Sequence, residues 1–366
     1  MFPFAHLRVI ELATVLAGPQ VGQFFAELGA DVLKLEPPGG DVTRTWRTAA
    51  DDPDSTVSAY FAASNWGKTA RVLDLTQPAA QAELHRLVAE ADVLISSYRP
   101  GAAEKLGADY ARLSALNPRL LYGQLSGYGP ADPRPGYDAV LQAETGFMHL
   151  NAPDAEAPPQ KMPVALIDLL AAHQLKEGLL TALYQRERTG RGALVEVSLL
   201  DSALASLANQ AATWLGGGPD PQPLGSGHPG IVPYGTVYRA VDGLWLVLAV
   251  GTDAQFGRLC AVLQRPRWAA EARFSTNPAR VRHRAALEEL LLQRIGELSG
   301  RALLHELTRL GVPAGEVRTV GEALTHPSAQ PMLLPPAAPY AAAGLRTVAF
   351  GSSEWERVAA LSGPPD

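Results

Sequence analysis

The first forty residues pass from an apolar run to a helix signal and back to an apolar run, and this spacing leaves little choice of architecture. Leu7–Leu12 (LRVIEL) reads as a buried strand. Ala17-Gly18-Pro19 is the turn, Pro19 suits the first helical position, and the helix runs to about Leu28. Gly29 closes it, and Asp31–Glu36 (DVLKLE) is the next strand. Two strands joined through a helix lie parallel, because the crossover returns the chain to the same edge of the sheet. The pattern repeats with strands at Ala70–Leu75, Asp92–Ser97 and Leu120–Leu125, and with an amphipathic helix at Pro78–Ala91. Apolar strands alternating with helices predict an α/β fold with a doubly wound, mostly parallel, Rossmann-like sheet.

From Asp168 the apolar period becomes helical and continues to Thr189-Gly190, placing Asp168 just before a long helix over Leu169–Arg188. A strand at Leu194–Ser198 and a helix over Leu199–Leu215 follow, then a Gly- and Pro-rich stretch from Gly216 to Pro233. Thr236–Arg239 and Trp245–Val250, flanking Asp242-Gly243, read as a hairpin. Helical segments at Asp253–Leu263, Arg280–Leu298 and Arg301–Leu310 complete a smaller α+β domain. The expected organisation is a large α/β domain over 1–190, a helical linker and loop over 191–227, a small domain over 228–330, and a segment over 331–366 that returns towards the large domain.

Composition narrows the function classes. With 37 acidic against 31 basic side chains, the net charge of −6 lacks the basic footprint of a nucleic-acid binder or a membrane-surface protein. One cysteine, Cys260, excludes a disulfide framework and a Cys-rich metal site, and a cytoplasmic location is expected. No apolar run approaches a membrane span, and Arg8 and Glu11 interrupt the first apolar stretch against a signal-peptide reading. Asn65-Trp66-Gly67-Lys68-Thr69 resembles the end of a P-loop, but position 62 is Ala and a strand follows. The first βα turn lacks the glycine triplet of a dinucleotide fold, although Glu36 stands at the ribose-acid position. Ser126 is one place too late for a nucleophile elbow, and the histidines show no metal-binding spacing.

The ordered set of short motifs is more specific. It includes Ala17-Gly18-Pro19, the run from Leu28 to Asp41, Asn65–Lys68, Leu73-Asp74-Leu75 and Tyr98-Arg99-Pro100-Gly101. Asn117–Tyr122, Ser126–Gly129, Gly136-Tyr137-Asp138, Asp168, Thr189–Gly192, Pro233-Tyr234-Gly235 and Gly311–Gly315 continue it. Together they resemble the family III CoA-transferases, which also contain the α-methylacyl-CoA racemases.

The resemblance implies an acyl-CoA:carboxylate CoA-transferase whose partners are an acyl-CoA and a free carboxylic acid. CoA enters as part of the substrate, and no other cofactor and no metal are expected. By resemblance Asp168 is the nucleophilic carboxylate, and Tyr137 and Asp138 belong to the catalytic centre. Backbone amides at Leu16 and Ala17, with a glycine of the Gly216–Gly218 run such as Gly217, would face the oxyanion. Val15, Leu16, Leu73, Ser97, Tyr98, Arg99 and Lys105 match positions that face CoA. The resemblance also implies an interlocked homodimer. Racemases of the family place histidine where this chain has Tyr137, and a phenol is a poor base at neutral pH. Transfer is therefore the expected reaction, with α-proton exchange or CoA binding without turnover as alternatives.

Overall fold

The computed structural model describes residues 2–337 and 342–353. Those residues divide into two compact units. One is built from the chain up to Thr145, Met162–Ala212 and the stretch from Pro327; the other from Gly146–Lys161 and Thr213–His326.

The first unit holds a six-stranded sheet. Its strands are β1 (Arg8–Glu11), β2 (Asp31–Glu36), β3 (Thr69–Val72), β4 (Val93–Ser96), β5 (Leu121–Ser126) and β6 (Ala193–Ser198). They run in the order β3-β2-β1-β4-β5-β6, every neighbouring pair parallel. This is the doubly wound order, and it puts the switch point between β1 and β4, where loops diverge to opposite faces. Its helices are α1 (Ala17–Glu27), α2 (Ala59–Ser64), α3 (Pro78–Val88), α4 (Ala102–Lys105), α5 (Tyr110–Leu116) and α6 (Asp138–Glu144), and, after α7 (Phe147–Leu150) of the other unit, α8 (Leu166–Thr189), α9 (Leu199–Ala205) and α10 (Ala208–Leu215), whose last three residues pass into that unit.

Alternation along the strands explains the layers. Ile10, Leu12, Leu94 and Tyr122 point to one face and pack with Leu84 and Val88 of α3 and Leu113 of α5. Gly123 faces the other side, where Leu175 and Leu179 of α8 lie close to its backbone. α1 and α8 pack together there.

Several boundaries differ from the sequence reading. Residues 191–212 are not a linker: β6 pairs with β5 along its whole length, so this stretch completes the sheet. The second unit begins at Thr213 rather than 228 and also takes Gly146–Lys161 out of the supposed large domain. The helix expected over 199–215 breaks after Ala205, because Ala208 adopts φ 44 and ends helical continuity. In the segment from 331, β10 (Leu333–Ala337) and β11 (Ala342–Leu345) form a hairpin held to the first unit. Trp66 Nε1 donates to the Pro335 carbonyl at 3.0 Å, and Gln23 Nε2 to that of Leu345 at 3.0 Å. Residues 338–341 and 354–366 lie outside the described residues.

The second unit has its own core. β7 (Tyr234–Arg239), β8 (Trp245–Ala249) and β9 (Ala314–Glu316) form an antiparallel sheet. It packs on α11 (Asp253–Val262), α13 (Arg284–Gly296) and α14 (Gly300–Arg309) through Leu246, Leu248, Phe256, Leu259, Leu287, Leu291 and Leu307. α12 (Asn277–Arg282) precedes α13, so the single helix expected from Arg280 is two.

Gly22 of α1 lies directly over the buried Glu11 carboxylate, and a Cβ there would overlap its Oε2. Glu11 cannot swing away without leaving two lysines. Gly22→Ala is therefore expected to cost about 3 kcal/mol, read as a drop in the urea midpoint at unchanged slope.

Candidate active site

Under the β1–α1 loop lies a buried charge cluster. Lys34 Nζ lies 2.8 Å from Glu11 Oε1 and 3.1 Å from Asp41 Oδ2, and Lys68 Nζ lies 2.8 Å from Glu11 Oε2. All four side chains are buried. Burial pushes the Glu11 carboxyl up, but the two ammonium groups outweigh it and hold it below its ordinary value. Burial lowers Lys68 to about 8 against the attraction of Glu11. Lys68 also donates to the carbonyls of Pro19 at 2.8 Å and Ser64 at 3.0 Å, so its ammonium is fully solvated by protein. The supposed P-loop lysine is thus a structural cation. Glu36 is not a ribose ligand either: Arg44 donates to its two oxygens at 2.7 and 2.6 Å.

The cluster carries the loop above it. Lys34 donates to the Ala13 carbonyl at 2.7 Å, Thr14 N–H reaches Ser97 Oγ at 3.2 Å, and Val15 N–H reaches Asp41 Oδ2 at 3.2 Å. Val15 has φ 71, a strained conformation for a β-branched side chain. After it the chain enters α1, whose first amides have no partner within the helix.

The first residues of α1 border a cleft of about 220 Å³. Its walls are Val15, Leu16 and Ala17 at one side, Ser97, Tyr98 and Arg99 at the second, and Arg134, Tyr137, Asp138 and Asp168 at the third. Nine of the sequence-selected residues therefore meet: Val15, Leu16, Ala17, Ser97, Tyr98, Arg99, Tyr137, Asp138 and Asp168. The third wall depends on two glycines. A Cβ at Gly127 or Gly136 would strike the other's backbone, so only glycine lets these loops stack.

Asp168 sits inside the first turn of α8, not ahead of it as the sequence reading had it. The N-cap is Ala165, and Asp168 is buried where the free amides and dipole of a 24-residue helix favour an anion. Asp138 orients that turn: its Oδ1 accepts from Ile167 N–H at 2.8 Å and its Oδ2 from Gln142 Nε2 at 2.7 Å. Tyr137 is an exposed residue at the start of α6, so it is no core tyrosine.

Three expected residues are elsewhere. Leu73 packs against the apolar cluster beneath α3, and Lys105 is an exposed residue at the end of α4. Gly217, at φ 81, belongs to the second unit. Two groups of the first unit escaped the sequence reading. Arg134 lines the cleft beside Gly136-Tyr137-Asp138, stacking on Tyr128 at 3.8 Å. Tyr60 of α2 is raised to about 12, by burial first and then by the charges of Asp168, Asp138 and Asp41. Its phenol therefore stays protonated. Proximity to the Gly136-Tyr137-Asp138 motif was a signal for Arg134; nothing in sequence marked Tyr60.

A model of CoA-transferase family III matches residues 4–334. The chain belongs to this family. It is 39% identical over 336 residues to succinate–glutarate CoA-transferase of Agrobacterium fabrum, covering 90% of this chain and 83% of that protein. It is 37% identical over 331 residues to acetyl-CoA:oxalate CoA-transferase of Acetobacter aceti, covering 89% and 83%. The crystal structure of a CAIB/BAIF family protein from Brucella suis superposes with a TM-score of 0.84 at 39% identity, covering 96% of this chain and 93% of the other. Rv3272 of Mycobacterium tuberculosis gives 0.85 at 29% identity, covering 97% and 94%. The enzyme is accordingly a CoA-transferase. Among the described residues no helix is long and apolar enough to cross a membrane.

Two measurements test this geometry. Glu11, held below its unfolded value, contributes stability that is complete above about pH 5 and is lost as pH falls through its folded-state pKa. The thermal midpoint should fall more steeply from about pH 5 to 3 in the wild type than in Glu11→Gln. Asp138→Ala leaves the Ile167 amide without its acceptor, and should cost about 1–3 kcal/mol in thermal melts while lowering turnover, because the Asp168 turn loses its anchor.

Proposed function

We propose that this CoA-transferase moves CoA from an acyl-CoA to a free carboxylic acid through covalent intermediates on Asp168. The observation that carries the reading is a buried carboxylate at a helix N-terminus, in one cleft with the first amides of a second helix. An Asp168 oxygen attacks the thioester carbonyl, the C–S bond breaks, and CoA leaves as thiolate with a mixed anhydride behind. The thiolate attacks the Asp168 carbonyl carbon, expels the donor carboxylate and forms an aspartyl-CoA thioester. The acceptor carboxylate repeats the two steps in reverse order and returns Asp168 to its ionised form. No step needs a proton. Each tetrahedral intermediate needs donors at its oxyanion, and the Leu16 and Ala17 amides are assigned that part.

Arg99 supplies a cation and Ser97 and Tyr98 a surface for CoA; Lys105 and Leu73 are assigned more remote contacts with it. Relatives bearing the names of succinate, glutarate and oxalate enzymes support short dicarboxylates as donor and acceptor acids. The Arg134 guanidinium at the cleft suits the second carboxylate of such an acid. The family resemblance supports an interlocked homodimer, and the single cysteine supports a cytoplasmic setting. CoA is the only cofactor-like group the reading calls for.

Intact-mass analysis with succinyl-CoA and hydroxylamine trapping, followed by peptide mapping, should place the adduct on Asp168. Asp168→Ala should form none and lose at least about 10³-fold in turnover. Deuterium uptake at the α-carbon in D2O without any adduct would overturn the reading in favour of racemisation.

A further inference from the structure

We propose that Asp41 and Lys34 are positioning residues for acyl transfer: the ion pair holds Val15 in its strained conformation and so aims the Leu16 and Ala17 amides into the cleft. The proposal rests on the oxyanion role assigned to those amides above. Three consecutive loop residues are tied, each to a different element. The Ala13 carbonyl takes a bond from Lys34 of β2, Thr14 N–H reaches Ser97 after β4, and Val15 N–H reaches Asp41 after β2. Asp41 is itself fixed on every side. Its Oδ1 accepts from Thr43 N–H at 3.0 Å and Thr43 Oγ1 at 2.8 Å, its Oδ2 faces Lys34 at 3.1 Å, and its own N–H donates to Glu36 Oε2 at 2.8 Å.

A valine at φ 71 relaxes unless its surroundings prevent it. The only two changes available to Val15 in reaching an ordinary conformation are to rotate its N–H away from Asp41 or to turn the peptide that leads to Leu16. The first is blocked by a buried charge that would lose a donor. The second would redirect the amides that border the cleft. Strain and ion pair therefore work as one device that fixes donor direction before substrate arrives, which is what electrostatic stabilisation of an oxyanion requires. The same reasoning separates this role from plain folding: a donor aimed wrongly loses transition-state stabilisation and leaves ground-state binding in place.

The experiment is a double-mutant cycle in the full-length enzyme, read as kcat and KM for acyl-CoA with thermal melts alongside. Asp41→Asn is expected to lower kcat about 10- to 100-fold with KM within about twofold. In a Val15→Gly background, where glycine adopts positive φ without strain, the further loss on Asp41→Asn should shrink to less than about threefold. Thr43→Val removes a bond to Asp41 without touching Val15, and should lower the melting temperature while leaving kcat within about twofold. Where Asp41→Asn does not fold, Asp41→Glu keeps the charge, moves the carboxylate off Val15 N–H and is read in the same cycle. Equal fold-losses in the two backgrounds, or a loss confined to KM, would overturn the proposal. Asp168→Ala reports separately on the nucleophile: if it keeps its turnover and its trapped adduct, the functional reading fails whatever Asp41 does. If it is inactive and the Asp41 loss is uncoupled from Val15, only the positioning role fails.

Discussion

Two buried lysines and two buried carboxylates under the β1–α1 loop set the conditions that the rest of the large unit must meet. Charges removed from water cost several kcal/mol each unless their partners are in place, so none of the four tolerates displacement alone. Glu11 on β1 opposes Lys34 in the register of β2, and Gly22 is required where α1 passes over the carboxylate. Lys68 at the start of β3 adds the Pro19 carbonyl of α1 and the Ser64 carbonyl of α2. One cluster thereby fixes three adjacent strands, the entry of α1 and the end of α2.

The cleft inherits that rigidity. Its amide wall follows Val15, its carboxylate wall follows the Asp138–Ile167 bond, and its third side follows Ser97, which also holds Thr14. Asp168 lies in the first turn of α8, where the helix favours negative charge. A reaction that exchanges carboxylate and thiolate nucleophiles without moving protons asks mainly for position and for donors at the oxyanion. In the proposed reaction, backbone amides fixed by a buried charge would supply both.

Much of the scaffold was legible. The spacing of Leu7–Leu12, Asp31–Glu36, Asp92–Ser97 and Leu120–Leu125 gave the parallel sheet because strand and helix periods differ and the crossovers are short. Boundaries were less legible where tertiary contacts decide them. The start of α8 moved ahead of Asp168 because Asp138, thirty positions earlier, caps the Ile167 amide from outside the helix. Residues 146–161 read as part of the large domain because no local signal marks a chain that leaves one core for another. Leu73 and Lys105 were drawn in by motif alone, and they lie against the apolar cluster beneath α3 and at the exposed end of α4, outside the cleft.

By itself the sequence determined the α/β class, the order of elements, the family resemblance and nine of the residues that line the cleft, because these follow from local periodicity and from short motifs. Only the tertiary structure decided that Lys68 and Glu36 are internal ion-pair partners, that Asp41 holds Val15, and that Arg134 lines the cleft. The reason is physical. Whether a charged side chain meets a ligand, solvent or another charge depends on distances across the sheet between residues far apart in the chain, and no local pattern encodes them.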